Sequence, residues 1–208
     1  MNRHNPQNLS HGSAAARRIL GNHGGYRNQK AYQVADLLYD FTFRFCDRYI
    51  PFKDRHHDQM VQSARSGYQN LAEGSVDGAT SAKLEINLTN VARGSLDELR
   101  KDYVKFLIRW NSGLHHWPQE DPRFMEARNL RPQTLEEAAA WVNLPGAPEP
   151  ARERAANLGA ILAAQAEWLA GRLLDHQAQE FEKNGGFSER MYKARSEHRK
   201  NEGAGSDG

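Results

Sequence analysis

Two pairs of adjacent histidines are the side chains of this sequence best suited to hold a metal ion or to touch a phosphate. His56-His57 open one helical pattern and His115-His116 follow the next one. If those patterns form antiparallel helices, the two pairs lie at the same end of the fold. Adjacent histidines on one helix point about 100° apart, however, and chelate a single ion poorly. We predict that they are surface residues and that the protein holds no metal and no cofactor.

Three charged residues, Arg65, Glu73 and Glu98, fall within helical segments that also carry an apolar face. A charge that faces the interior has to be paired, because an unpaired buried charge is strongly destabilising. We therefore predict that these three form a structural polar network. Paired carboxylates can also bind metal in helical bundles, but those sites use Glu-x-x-His pairs, which this sequence lacks.

Common catalytic motifs are absent from the sequence. It contains no Gly-rich phosphate loop, no His-Glu-x-x-His, no zinc-finger spacing and no Gly-x-Ser-x-Gly turn. The single cysteine, Cys46, lies in an apolar helical stretch and is predicted to be a small buried hydrophobic residue. We predict that the protein is not an enzyme.

Basic residues form the clearest functional pattern. They occur on the third helix and in the C-terminal tail, and the first 30 residues contain no Asp or Glu. Such a surface attracts nucleic-acid backbones without reading sequence, and its affinity falls steeply with salt. The alternative is a solvated helix face, since Asp97 can pair with Lys101. The predicted nucleic-acid-binding residues are Arg93, Arg100, Lys101, Lys105, Arg109, Arg190, Lys193, Arg195, Arg199 and Lys200.

Length, charge and hydropathy indicate which classes of protein this chain can belong to. A chain of 208 residues can bury the apolar core of one domain. Its 28 Lys and Arg against 26 Asp and Glu leave a net charge of +2, which alone does not indicate a nucleic-acid binder. The mean hydropathy is −0.83, and no apolar run approaches the roughly 18 residues of a bilayer span. The N-terminus lacks the apolar stretch of an export signal, so we expect a cytoplasmic protein that does not contact a membrane.

Four long helical patterns have to position these residues, and no segment alternates with the period of two typical of a half-buried strand. They are predicted over residues 27–48, 54–76, 80–113 and 150–184. Asp54 caps the second helix, and Thr80 or Ser81 caps the third. Short connections after the first two helices predict antiparallel neighbours. The fold class is therefore all-α, an antiparallel four-helix bundle with flexible termini.

The remaining segments complete the predicted organisation. Residues 1–25 form a disordered basic arm, residues 26–113 hold the first three helices, and residues 185–208 form a basic tail that is partly disordered. A helical insert over residues 114–149 precedes helix four. It contains two short helices, Asp121 to Leu130 and Thr134 to Leu144, the second opened by a Thr134-x-x-Glu137 capping box.

Apolar residues spaced three and four apart predict the buried face of each long helix. On helix one they are Val34, Leu38, Phe41, Phe45 and Tyr49, and on helix two Met60, Val61, Ala64, Tyr68, Leu71 and Ala72. On helix three they are Leu84, Leu88, Val91, Ser95, Leu99 and Phe106, and on helix four Ala155, Leu158, Leu162, Leu169, Leu173 and His176. A second apolar stripe on helix one predicts a face for self-association, because monomers seldom leave large apolar patches in water. That oligomer face consists of Tyr32, Tyr39, Phe43 and Ile50.

Two stretches on consecutive helices carry a family resemblance. They are QSARSGYQNLAEG over residues 62–74 and LTNVARGSLDEL over residues 88–99. Together they resemble the bacterial four-helix bundle family that includes proteins encoded in intervening sequences of large-subunit ribosomal RNA genes and the accessory protein of diversity-generating retroelements. The resemblance covers about residues 30 to 110. The C-terminal part, from Leu130-Arg131-Pro132 to the GGFSERMYKAR run at 185–195, is similar to the suffix domain on one branch of that family.

The resemblance implies a bundle that often assembles into a homopentamer, and it does not imply catalysis. Members of the retroelement branch bind nucleic acid and a reverse transcriptase. Two functional hypotheses follow. The first is an oligomeric adaptor that binds the backbone of RNA or DNA, alongside a reverse transcriptase or another nucleic-acid enzyme. The second is a purely structural or protein-interaction module that does not bind nucleic acid.

Overall fold

The computed structural model describes residues 25–78, 81–109, 113–186, 188–189 and 191–196, and within these residues it is helical with no strand. The all-α prediction is therefore confirmed for this part of the chain. The predicted disordered arm falls almost wholly on residues 1–24, which lie outside the described residues, as do residues 197–208. The elements are a short 3-10 turn, Tyr26–Asn28, and the helices α1 Lys30–Tyr49, α2 Arg55–Asp77, α3 Ala82–Arg109, α4 Pro122–Leu130, α5 Leu135–Val142 and α6 Ala151–Asn184.

Short-range hydrogen bonds explain where several helices begin and end. The Asp54 carboxylate accepts the backbone N–H of His56 at 2.9 Å, which caps α2 as predicted. The Thr134 hydroxyl accepts the N–H of Glu137 at 3.2 Å and caps α5. Gly185, at φ 67°, ends α6, because a glycine enters that region without the steric cost other residues meet.

The four long helices pack in a closed ring. α1 packs on α2 and on α6, and α3 packs on the same two helices. Ser66 of α2 meets Ser95 of α3 with hydroxyl oxygens 2.9 Å apart. The Gln177 amide, near the end of α6, donates to the Glu85 carboxylate, near the start of α3, at 3.1 Å. The apolar core lies between these helices and continues into the insert, where Trp117 and Trp141 are buried.

The buried face of α3 differs from the predicted stripe. Leu84 is 41% exposed and Val91 is 52% exposed, whereas Leu99 and Phe106 are buried as predicted. α3 packs against both α2 and α6, so the row of side chains that points between those two helices is buried. This row lies next to the predicted row on the helix surface. Its residues are Thr89, Ala92, Leu96, Leu99, Tyr103, Phe106 and Leu107.

A similar one-residue error occurs on α6. His176 was predicted to face inward, but it is exposed, and its neighbour Gln177 is buried. The Gln177 amide bonds to Glu85, so a polar contact between α3 and α6 decides which residue turns inward.

The predicted oligomer face is largely covered within the chain, so its prediction as an exposed stripe is wrong. The ring centroids of Tyr32 and Tyr39 lie 6.4 Å and 4.9 Å from that of Tyr68 on α2. Ile50 is buried, Tyr32 and Tyr39 are half-buried, and Phe43 alone of the four predicted residues is exposed, at 51%. The aromatic surplus of α1 is explained by packing on α2.

Within the described ranges, no helix combines the length and the apolar character that a bilayer span requires.

Candidate functional site

The basic face of α3 is charge-balanced by acidic residues. Asp97 binds both Arg100 and Lys101, with N to O distances of 2.6 Å in each pair. Hydrogen bonds from Lys101 and Arg100 hold the pKa of the Asp97 carboxyl below its usual value. Lys105 lies 3.5 Å from the Asp102 carboxylate. The cations that the sequence singled out here are therefore largely compensated.

The other predicted nucleic-acid-binding residues are scattered. Arg93 is exposed on α3, and its stem lies beside Gly171 of α6. Arg109 is the last residue of α3. Lys193 and Arg195 are exposed in the short helical stretch 191–196. Four of the predicted residues have side chains that fall outside the described ones: Arg109, Arg190, Arg199 and Lys200.

The predicted polar network is not in the interior. Arg65, Glu73 and Glu98 are all exposed, so the inward position predicted for them is wrong. Their helices α2 and α3 are amphipathic. A long charged side chain at the edge of an apolar face can extend its charged end into water, so it needs no charged partner in the interior.

Smaller residues of the same two sequence stretches make the contact between α2 and α3. The Asn70 amide donates to the carbonyl and the hydroxyl of Ser66, at 2.9 and 3.0 Å, and Ser66 in turn meets Ser95. A Cβ on Gly67 would lie 2.7 Å from the Leu96 side chain. The pattern shared by the two stretches thus serves close helix packing.

The first histidine pair is held by neighbours on its own segment. The His56 ring nitrogen lies 2.8 Å from the Asp54 carboxylate. His57 is only 7% exposed and packs on the Phe52 ring, with centroids 5.6 Å apart, so the surface prediction is wrong for this residue.

The second histidine pair is exposed, as predicted, and its backbone is anchored to α6. Partial desolvation of the His116 imidazole, with the positive charge of Arg100, lowers its pKa. Across the described ranges, no three His, Cys, Asp or Glu side chains converge as a metal site requires.

Cys46 is buried, as predicted. Burial, reinforced by the negative charges of Asp102 and Asp58, raises the pKa of its thiol to about 12. A thiol of this kind is a poor nucleophile, because the thiolate is the reactive form.

The insert is fastened to α6 by buried polar residues that the sequence did not reveal. Glu153 is 1% exposed, and its carboxylate accepts the Trp117 indole N–H and the His115 backbone N–H, both at 2.9 Å. The Asn157 amide accepts the Trp117 backbone N–H and donates to the His115 carbonyl, again at 2.9 Å. Each polar atom in this contact has a partner, which is typical of a structural role.

An arginine one position further along α6 holds the second half of the insert. The Arg154 guanidinium donates twice to the Trp141 carbonyl, at 2.7 and 3.1 Å, and its carbon lies 3.9 Å from the Trp141 ring centroid. It also pairs with Glu149 at 3.5 Å. We call Glu153, Arg154, Asn157, Trp117 and Trp141 the insert clamp.

Asp121, which caps α4 beside the insert clamp, gives a testable pH dependence. Hydrogen bonds from Arg123 hold the pKa of its carboxyl at about 2, below the usual 3.8. A carboxyl whose pKa is lower in the folded than in the unfolded chain stabilises the folded state when the pH lies above the unfolded-state pKa. That stabilisation is lost as the pH falls to the folded-state pKa. We expect Asp121→Asn, which can still cap the helix, to be less stable than wild type at neutral pH. The difference should shrink between about pH 4 and about pH 2 in urea unfolding. A constant difference over that range would contradict this account.

A large cavity lies between α1, the α4–α5 segment and α6, with a volume of about 1660 Å³. It is about half open to solvent, so it is a groove and not an enclosed pocket. Five cations and three carboxylates line it, namely Arg27, Lys30, Arg44, Arg128 and Arg131 with Asp36, Asp40 and Glu136.

The cavity cations differ from those of α3 because they are not neutralised by contact. Within the part of the chain that the structure describes, none of the five forms an ion pair with a carboxylate. The pKa of Asp36 is raised by burial and by the nearby charge of Asp40, and Arg27 partly offsets the rise. This cluster could not be predicted from a local sequence pattern, because its members come from segments about 100 residues apart along the chain.

No protein-family model, curated protein or solved structure matches this chain.

Proposed function

We propose that the protein is a non-catalytic adaptor that binds the backbone of a nucleic acid in the cavity between α1, α4–α5 and α6. The observation that carries this proposal is the excess of five cations over three carboxylates in that cavity, with no ion pair between any of the five and a carboxylate of the described residues. Phosphates supply the missing negative charge, and arginine is well suited to bind them because its guanidinium presents a fork of donors. The site thus lies away from the α3 face.

The proposal includes an antiparallel four-helix bundle that self-associates. The contact of Gln177, near the end of α6, with Glu85, near the start of α3, supports opposite directions for those two helices. Two exposed apolar side chains on α3, Leu84 and Val91, lie seven residues apart on one face of the helix and offer a surface for a second copy of the chain. The sequence resemblance adds a reverse transcriptase or another nucleic-acid enzyme as the protein that the adaptor serves.

Two matched double variants test the location of the site. Arg128→Gln with Arg131→Gln removes two cavity cations, and Lys101→Gln with Lys105→Gln removes the same charge from α3. We expect only the first pair to weaken binding of mixed-sequence RNA or single-stranded DNA. It should also reduce the slope of log affinity against log salt by about 0.7 for each lost phosphate contact.

Light scattering at low and high salt measures the mass of the particle and the amount of nucleic acid bound to it. Loss of binding in the α3 pair alone would move the site to the face that the sequence indicated. A wild-type protein that binds no nucleic acid even at low salt would overturn the proposal and favour the protein-interaction module.

A further inference from the structure

Trp168 stands in the wall of the cavity with 65% of its surface exposed. Tryptophan is seldom left so open, because its ring is a large apolar surface that is usually buried or used in binding. The guanidinium carbon of Arg172 lies 6.0 Å from the ring centroid. The ring therefore presents an aromatic face in cationic surroundings.

The cavity cations of α4 are anchored close to this ring. The Gln165 amide, one turn before Trp168 on α6, donates to the Arg128 carbonyl at 3.2 Å. That bond fixes the end of α4 on α6, and Arg131 follows Arg128 by three residues. Trp168 and both arginines line the cavity, and this bond joins the end of α4 to the stretch of α6 that carries Trp168.

Arg131 occupies a backbone conformation that arginine disfavours. Its φ of 43° and ψ of 56° are left-handed, and among the described residues it is the only non-glycine with a positive φ. Glycine or asparagine usually ends a helix in this way, because other side chains clash with the backbone there. An arginine at this position keeps a charged side chain in the cavity at the expense of backbone strain.

We infer that the cavity binds single-stranded nucleic acid, with a base stacked on Trp168 and the flanking phosphates on Arg128 and Arg131. This inference rests on the proposed function and narrows it. A duplex hides the faces of its bases, whereas a single strand can splay a base onto an aromatic ring. Sequence-tolerant binders of single strands combine a positively charged groove with such stacking rings.

Fluorescence anisotropy with one labelled oligonucleotide, single-stranded and annealed to its complement, tests the inference on the full chain. Trp168→Ala should weaken single-strand binding by roughly 5- to 150-fold, which corresponds to the loss of one stacked base. Trp168→Phe, which keeps an aromatic face, should restore most of the affinity. Phe43→Ala is the matched control, because Phe43 is an exposed aromatic residue, 51% accessible, that does not line the cavity.

A second variant separates binding from folding. Arg131→Gly removes the charge and suits the left-handed backbone, so it should weaken single-strand binding without lowering the free energy of unfolding. Equal binding of single strand and duplex, or unchanged affinity in Trp168→Ala, would overturn the inference while the proposed function stands. A wild-type chain that binds neither form would overturn both.

Discussion

Glu153→Ala is expected to lower the free energy of unfolding by about 3 to 5 kcal/mol. The substitution removes the acceptor of two donors, the buried Trp117 indole N–H and the part-buried His115 backbone N–H. It also takes a negative charge from beside Arg123, whose guanidinium lies 3.7 Å from the carboxylate. A buried donor left without a partner, such as the Trp117 indole N–H, costs about 1–3 kcal/mol, because water cannot replace the lost acceptor. Urea unfolding followed by circular dichroism measures the loss.

Glu182→Ala is the matched control, since Glu182 lies on the same helix and is exposed. Its effect should stay within about 0.5 kcal/mol. A Glu153→Ala variant as stable as this control would show that the insert is held by something other than the insert clamp.

Two glycines on α6 should respond to alanine with opposite signs. A Cβ on Gly159 would lie 2.4 Å from two ring carbons of Tyr103, whereas a Cβ on Gly171 would meet nothing closer than 3.9 Å. Tyr103 cannot move aside, because it is fully buried and its hydroxyl donates to Thr42 at 2.9 Å. Overpacking of this kind costs about 1–3 kcal/mol and can exceed the gain of about 1 kcal/mol that alanine brings to a helix.

We therefore expect Gly159→Ala to lower the free energy of unfolding by about 1 kcal/mol and Gly171→Ala to raise it by about 0.5 to 1 kcal/mol. Thermal and urea unfolding of the two variants give the comparison directly. If both are stabilised, the α3–α6 contact is looser at Tyr103 than the structure indicates.

Local features of the fold were predictable, because the interactions that cause them are local. The caps at Asp54 and Thr134 depend on side chains two or three residues from the groups they satisfy. The inward stripe of α3 was misassigned at Leu84 and Val91, because the helix carries two neighbouring apolar lines. Only the positions of α2 and α6 decide between those lines, and no local pattern contains that information.

The candidate site was harder to predict for the same reason. Glu153 and Asn157 belong to residue types that are usually exposed, and their partners lie 36 to 42 residues earlier in the chain. The pairing of Asp97 with Lys101 was foreseeable from their spacing of four. The cavity cations could not be foreseen in this way. Lys30 and Arg128 line the same cavity only because the insert folds back on α1 and α6.

The insert clamp also limits how this chain could be shortened by protein engineering. Joining α3 to α6 with a brief loop in place of the insert would strip Glu153, Arg154 and Asn157 of the groups that bind them. These three polar side chains would then either become exposed to water, with loss of the packing around them, or stay buried without hydrogen-bond partners. Both outcomes destabilise the fold. A minimal version of the protein would need all three replaced together by apolar residues, so the insert and the first turns of α6 form one unit of design.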